Sequence, residues 1–469
     1  MGSGGVGTLS TTLVLPGSLA ARFEEIAAHP LETAGVLLVS VVALGDNDFR
    51  LLGREYHPVP DAAYLGRTED SLAIASDGYV PALARAETIG ATPLWVHTHP
   101  GQDASPSPSD HDEVVDKQLL ETFRLRAGTD FYGAVIFSLS QHGLRFTGHV
   151  AREGSPKSIV SRLWVVGDRF RLSHAVGREL LEPLEVFDRN VKAFGRAVQN
   201  TLSDLTVGIV GCGGTGSAVS EQLVRLGVRA FVLMDPDTLS DTNVTRVYGS
   251  KPSDIGDSKV EVAMRNIQSI APDARCEPVQ AMLNVATAAR RLARCDLVFG
   301  CSDDNAGRLV LSRLPTYMLV PVIDCGVLLS SDEDDQLIGI DGRVTVVAPE
   351  HACLLCRGRI DLARAAAELM TPEERIRLTN EGYAPALGGV EPAVVAFTTI
   401  VAATSVAELL ERLVGYGPKP RPTEVLLRLH EREISTNLAL SRVGHYCAIG
   451  SEKLGRGVTE PFLDLTWTA

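Results

Sequence analysis

The stretch Val207-Gly-Ile-Val-Gly-Cys-Gly-Gly-Thr-Gly-Ser217 empties a β-branched run into a cluster of glycines. Gly211, Gly213 and Gly216 meet the G-x-G-x-x-G spacing, in which a tight turn brings backbone N–H groups and a helix N-terminus close to phosphate. Gly214 extends the cluster. Asp235 follows a second apolar run, Phe231-Val-Leu-Met, at the distance where an acid meets a ribose hydroxyl. Downstream stand Asp237, Asn243, Arg246, Lys259, Asp303 and Arg308. Two chemistries are open: hydride transfer with a nicotinamide or flavin, and ATP-dependent adenylation. Hydride transfer has no use for so many polar groups. Attack of a carboxylate on ATP needs cations along the triphosphate and an acid to hold Mg²⁺.

A second set of groups lies far upstream. Leu94-Trp-Val-His97-Thr-His99-Pro100 is a strand pattern with two histidines at period two, so both imidazoles project from one face toward a point where a metal can sit. Ser107 and Asp110 follow, and Ser109-Asp-His-Asp112 repeats the same S-x-x-D step two residues later. Glu32 stands just before the apolar run Val36-Leu-Leu-Val, where an acid by itself reads as a solvated cap. Near the C-terminus, Cys353-Leu-Leu-Cys356 presents C-x-x-C, and His445-Tyr-Cys447 follows later.

The order Asp235-Pro-Asp237, Asn243-Val-Thr-Arg246, Lys259, Cys301-Ser-Asp303 and Arg308 resembles the ThiF-like, ubiquitin-activating superfamily. That resemblance implies that Gly211, Gly213, Gly214 and Gly216 approach the nucleotide, Asp235 binds ribose, and Asn243, Arg246 and Lys259 hold the triphosphate. Asp303 would carry Mg²⁺. Val247 departs from the glutamine that the family often has there. Arg189, in a helical stretch before the first strand, matches an arginine that reaches a partner subunit's ATP phosphates, which implies a homodimer. Many relatives carry a structural zinc on two C-x-x-C pairs. Here Cys353, Cys356 and Cys447 would be ligands, with Gly444 in place of the fourth cysteine and His445 as a chemically allowed substitute; free thiols are the alternative. Some relatives use a thioester cysteine. No cysteine lies between Arg357 and Tyr446, so Cys325, Cys353 and Cys356 are fallback nucleophiles, and adenylation without a thioester stays open. The segment Gly382 to Tyr416 resembles one that docks a ubiquitin-like tail.

His97-x-His99, ten intervening residues and Asp110 resemble the JAMM (JAB1/MPN) metalloprotease signature, and Glu32, Pro106 and Ser107 match it as well. The resemblance spans about residues 10 to 150. It implies that His97, His99 and Asp110 bind Zn²⁺ with a position left for water. Glu32 would be the general base, and Ser107 would steady the developing oxyanion. Asp112 could replace Asp110, although the distance from His99 favours Asp110.

These groups need rigid supports. Helical spacing at residues 18 to 28, the strand beginning at Val36, a helix from about Asp112 to Arg126, and strands at Tyr132–Phe137 and Leu144–Gly148 predict an α+β domain of the JAMM, cytidine-deaminase-like kind. A hairpin pivoting on Gly167-Asp168 closes it, and a boundary near residue 175 gives residues 1–175 and 176–469. The second domain reads as α/β and Rossmann-like, of the ThiF adenylating type. Val322-Ile-Asp-Cys325 reads as a sheet strand, and Ser330 to Asp335 as an exposed acidic loop before a hairpin.

The formal charge, 44 basic against 58 acidic residues or −14, excludes a phosphate-backbone partner driven by counterion release. Eight cysteines scattered through a long chain point to reduced thiols and a cytoplasmic protein. The first residues lack the basic and apolar regions of a signal peptide. Pro392 to Leu410 carries Thr398, Thr399, Thr404, Ser405 and Glu408, which suits a buried helix better than a membrane span. Together the readings predict a bifunctional enzyme of a bacterial ubiquitin-like pathway, which uses Zn²⁺, ATP and Mg²⁺. Its JAMM site would cleave the tail or isopeptide bond of a ubiquitin-like or sulfur-carrier protein ending in Gly-Gly. Its second site would adenylate the freed carboxylate, with a conjugating enzyme as a further partner. The alternatives are an adenylating enzyme for natural-product or cofactor sulfur transfer, and an inert JAMM module that only binds.

Overall fold

The computed structural model describes residues 11–45, 48–101, 106–141, 143–175, 182, 184–332, 334, 336–381, 385 and 393–467. The chain separates into two compact units, Met1–Glu179 with Leu454–Val458, and Leu180–Lys453 with Thr459–Ala469.

The first unit starts with β1 (Thr11–Pro16) and α1 (Gly17–Ala27), then β2 (Ala34–Ala43) and β3 (Phe49–Pro58). A small ladder of β4 (Tyr64–Arg67) and β5 (Leu72–Ile74) precedes α2 (Val80–Ile89) and β6 (Thr92–Thr98). α3 (Asp110–Ala127) leads to β7 (Phe131–Ser140), β8 (Gly143–Arg152), β9 (Ser158–Val166) and β10 (Phe170–His174). The sheet order is β1-β3-β2-β6-β7-β8-β9-β10, and β1 also pairs with β9 in parallel, so the sheet closes into a barrel. Strands and helices fall close to where the sequence places them, including the β9–β10 hairpin. The closure was not anticipated, because it joins residues such as Thr11 and Ser158, whose hydroxyls meet at 2.7 Å, with no local pattern to announce it.

Alternation along β6 divides its side chains between two cores. Leu94 and Val96 join Leu13, Phe23, Leu37 and Phe137, where the rings of Phe23 and Phe137 stack at 4.7 Å. Trp95 joins Val36, Leu83 and Phe123 on the face that α2 and α3 cover. Period two then puts His97 on Trp95's face, beneath the start of α3.

The second unit contains α4 (Asp188–Phe194), α5 (Arg196–Asp204), β11 (Thr206–Val210), α6 (Gly214–Arg225), β12 (Ala230–Met234), α7 (Lys259–Ile270) and β13 (Arg275–Val279). After α8 (Ala286–Ala289) come β14 (Leu297–Gly300), α9 (Asn305–Tyr317), β15 (Val322–Ser331) and β16 (Leu337–Val347). α10 (Leu362–Glu368), α11 (Pro372–Asn380), α12 (Val395–Val414), β17 (Glu424–Arg428) and β18 (Glu433–Asn437) complete it. The strand order is β13-β12-β11-β14-β15-β16-β17-β18, parallel from β13 to β15 and antiparallel from there on. Buried runs such as Phe231–Met234 and Leu297–Phe299 suit parallel strands covered on both faces. Ser330 and Ser331 belong to β15, so the segment read as a loop before a hairpin begins within the β15–β16 hairpin itself. α12 buries Thr398, Ser405 and Leu409, and among the described residues no helix is long and apolar enough to cross a membrane. Of the segment read as a tail-docking element, residues 382–384 and 386–392 lie outside the described residues.

Candidate functional site

β11 has β12 on one side and β14 on the other, and the chain leaves it at the crevice where nucleotides bind in open α/β sheets. Gly211 turns there with φ 89°, and a Cβ on it would stand 2.8 Å from the backbone of Cys301, in the loop after β14. A Cβ on Gly216 would stand 1.8 Å from the carbonyl oxygen of Gly211, so only glycine fits either position. α6 begins at Gly214, and its N-cap Gly213 brings no side chain to the first-turn N–H groups. Those donors and the helix dipole therefore face the crevice, ready for an anion.

The crevice opens into a cleft of about 1260 Å³. Gly211, Gly213, Gly214, Asp235, Asn243, Arg246, Lys259 and Asp303 all line it, together with Arg308. Gly216 supports the loop from behind. Asp235 is buried, and its carboxylate accepts from the N–H of Cys212 at 2.7 Å and of Asp237 at 2.9 Å, while burial raises its pKa. Those bonds pin the glycine loop to the end of β12. Lys259, the first residue of α7, reaches Asp237 at 2.7 Å, and Arg246 donates to the carbonyl of Thr242 at 3.0 Å. Asn243 caps Ser240 through its side-chain oxygen at 3.2 Å. Asp303 is exposed to the cleft, and its turn is tied down by Arg308, which donates to the carbonyls of Ser302 and Asp303 at 3.1 and 3.4 Å. Arg189 is exposed on α4.

Cys353 and Cys356, past the end of β16, converge with His445 and Cys447 from the C-terminal segment. His445 Nδ1 lies 3.6, 3.4 and 3.2 Å from the sulfurs of Cys353, Cys356 and Cys447, and the last two sulfurs are 3.7 Å apart. Ligands held tetrahedrally around zinc stand roughly 3.3–3.8 Å apart, given Zn–S near 2.3 Å and Zn–N near 2.0–2.1 Å. The donor set therefore fits one tetrahedral ion. A hydrogen bond from Cys447 lowers the pKa of the Cys353 thiol, toward the thiolate form that a metal requires.

In the first unit, Nε2 of His97 and of His99 approach to 3.2 Å, again a tetrahedral ligand separation. The carboxylate the fold brings to them is Asp112, at 3.1 Å from His97 and 3.5 Å from His99. The ligand favoured from sequence spacing, Asp110, is instead the exposed first residue of α3. Helix geometry decides this. Ser109 is the N-cap, its hydroxyl accepts from the N–H of Asp112, and the Asp112 carboxylate takes the backbone N–H of Ser109 at 2.7 Å and its hydroxyl at 2.8 Å. Ser107, two residues earlier, is exposed. Burial opposes ionisation of Asp112, but the bonds from His97 and His99 prevail and hold its carboxyl far below the usual range. Burial also lowers the pKa of His97, keeping it neutral as a ligand must be. Glu32 is buried 3.7 Å from His99, and loss of hydration raises its pKa to about 7. β2 delivers it there, because Ala34 pairs in register with His97.

The model of the ThiF family matches residues 187–444, more than half of the chain. The chain belongs to the ThiF family. Its α/β unit is accordingly an adenylation-type fold. The chain is 28% identical over 232 residues to the molybdopterin-synthase adenylyltransferase of Escherichia coli (strain K12), spanning 49% of this chain and 80% of that protein. It is 25% identical over 158 residues to the SAMP-activating enzyme E1 of Haloferax volcanii, 34% of this chain and 55% of the relative. With the tRNA threonylcarbamoyladenosine dehydratase of Bacillus subtilis it shares 38% identity over 96 residues, 20% and 37% of the two chains. Among solved structures, a crystal structure of E. coli MccB with MccA-N7isoASN aligns over 57% of this chain and 76% of that one, at 21% identity and a TM-score of 0.45. That likeness is too loose to carry residue assignments.

Within the ThiF unit, Asp324 and Arg343 escaped the sequence reading. Asp324 is fully buried in β15 and takes Arg343 of β16 at 2.6 Å and Arg308 of α9 at 3.6 Å. A charge inside the apolar strand Val322-Ile-Asp-Cys325 was the available signal, since such a residue requires a partner. The capping box S-x-x-D was the corresponding signal for Ser109 and Asp112.

Proposed function

We propose that the ThiF unit adenylates a carboxylate with ATP and Mg²⁺, and that its substrate is the free C-terminus of a ubiquitin-like or sulfur-carrier protein. The convergence of a glycine loop, a helix N-terminus, Arg246, Lys259 and Asp303 on one cleft carries this reading. A carboxylate oxygen forms a bond to the α-phosphorus while the bond to the β-phosphate breaks, and the electron pair leaves with pyrophosphate. Negative charge grows on phosphorus and on the leaving group. Arg246 and Lys259 meet it, and Asp303 would hold Mg²⁺, which would offset the same negative charge. Asp235, fixed at the end of β12, receives the ribose. The molybdopterin-synthase adenylyltransferase and the SAMP-activating enzyme among the relatives support a protein substrate of this kind. In an ATP–pyrophosphate exchange assay with a carrier ending in a free carboxylate, Asp303→Ala should abolish exchange. Undiminished exchange in that variant with Mg²⁺ present would refute the assignment.

We further propose that the first unit is a zinc peptidase of the JAMM kind, with His97, His99 and Asp112 as ligands and Glu32 as general base. Zinc held by these residues would supply Lewis acidity and a water activated near neutral pH. Glu32, beside His99, takes the proton from water and passes it to the leaving amine. Its product would be the carboxylate that the second unit adenylates. Glu32→Gln keeps the ligands and the shape, so cleavage of an extended carrier should fall by about 10²–10⁴-fold with zinc content unchanged. Full cleavage by that variant, measured by mass spectrometry of the carrier, would remove the unit from the peptidase class.

A further inference from the structure

We propose that Arg343, braced by Asp324, is the group in the cleft that reads the substrate's free terminal carboxylate before adenylation. The proposal rests on the adenylating reading above and adds a substrate-recognising residue to it. Arg343 lies on β16, in the antiparallel extension of the sheet, away from the glycine loop where Arg246 and Lys259 serve the phosphates. Charge is unbalanced at this point. The single buried carboxylate of Asp324 faces two guanidinium groups, Arg343 at 2.6 Å and Arg308 at 3.6 Å, and arginine does not discharge in a protein. One positive charge is therefore left facing the cleft that both arginines line.

Neighbouring charges do not cancel it. Arg359 is taken up by Glu424, through bonds of 3.0 and 2.8 Å. Asp341, two residues from Arg343 on the same strand, lies in register with Arg428, whose Nη1 turns to Glu433 at 3.2 Å and Glu431 at 3.7 Å, and among the described residues no ion pair joins Asp341 to Arg343. Arg308 spends its terminal nitrogens on the Ser302–Asp303 turn, which leaves it a positioning role. The polar set is also incomplete: Arg343 Nε and Ser302 Oγ are buried without a hydrogen-bond partner, while Asp324 Oδ1 and Arg308 Nε meet only each other, as the 3.6 Å ion pair. Such groups are costly to leave unmatched, and they mark a place where a ligand or its water finishes the network.

Space is provided by glycine. Gly326 lies opposite Arg343 across the β15–β16 pair, and a Cβ there would stand 3.4 Å from Arg343 Nη2 and 3.9 Å from Arg308 Nη2. A planar guanidinium next to open space matches a carboxylate by paired N–H···O bonds. The chemistry also asks for such a group, because a carboxylate must come close to a triphosphate of the same sign while remaining ionised as the nucleophile. Arg343 offsets that repulsion without taking part in the bond exchange.

The test measures binding of glycylglycine, glycylglycinamide and N-acetylglutamate α-amide to the full chain by saturation-transfer NMR, with a non-hydrolysable ATP analogue present. The wild type should bind glycylglycine, and bind both the amide and the side-chain carboxylate severalfold more weakly. Arg343→Gln should weaken glycylglycine binding roughly tenfold or more, as loss of a charge-assisted bidentate contact implies. Arg343→Lys keeps a cation on Asp324 and so preserves the fold if the glutamine variant does not. It lacks the fork, and it too should bind more weakly. Equal binding of acid and amide, equal binding of the side-chain carboxylate, or unchanged binding in a folded Arg343 variant would overturn the proposal. Analogue binding, read on the same samples, separates the two claims: its absence from the wild type fells the adenylating reading, whereas intact analogue binding with an indifferent Arg343 fells this proposal alone.

Discussion

At the scale of single residues, the choice between Asp110 and Asp112 turns on two side-chain positions at the head of one helix. Both belong to an S-x-x-D step, and the distance from His99 favoured Asp110. The capping box at Ser109 fixes Asp112 as the third residue of α3 and aims its carboxylate at the imidazoles, whereas Asp110 points to solvent. Asp112→Asn should therefore lose most of the zinc bound in the first unit, while Asp110→Asn retains it. Elemental analysis of the dialysed proteins checks this, and the reverse pattern would restore Asp110 as the ligand. The second candidate metal group, Cys353, Cys356, His445 and Cys447, would serve as an internal reference because neither substitution changes one of its residues.

At the scale of elements, the antiparallel extension is tied together by Glu424 of β17. Its carboxylate receives Arg359 at 3.0 and 2.8 Å, Thr345 of β16 at 2.9 Å and Asn437 of β18 at 2.6 Å. Burial acts against the charge, but the bonds from Arg359 and Asn437 outweigh it and lower the pKa from 4.5 to about 2. A depressed carboxylate pKa stabilises the fold fully above the unfolded value, and that contribution is lost as pH falls through the folded value. Glu424→Gln should thus cost roughly 1–3 kcal/mol at neutral pH, the usual range for stranding a buried partner. The gap in melting temperature between wild type and variant should shrink as the pH drops from 4.5 toward 2. Calorimetry across that range decides it; a gap independent of pH would mean that the carboxylate does not titrate with folding.

At the scale of the whole molecule, the adenylating site is proposed to need a second copy of the chain. Arg189 is exposed on α4, a helix with no buried residue, which is where a side chain offered to another subunit would sit. If Arg189 acts in trans, mixing an Arg189→Ala chain with an Asp303→Ala chain should restore part of the pyrophosphate exchange, because one composite site per dimer is then intact. A monomer by light scattering, or no recovery on mixing, would count against it. Recovery would also show that both lesions lie in one composite machine rather than acting through stability.

What the sequence determined by itself was whatever short-range spacing encodes. The glycine turn into α6, the two imidazoles on one face of β6, the C-x-x-C pair and the order of polar groups after β12 all follow from local geometry. Secondary structure was legible for the same reason, since period-two and helical patterns mark the buried faces directly. Closure of the barrel through β1 and β9, selection of Asp112, the return of His445 and Cys447 to Cys353 and Cys356, and the meeting of Asp324 with Arg308 and Arg343 were decided only by tertiary structure. Each joins groups whose separation along the chain, or whose placement on a helix end, leaves no periodic trace. Their pairing is settled by which buried charges and donors find a partner once the sheets have formed.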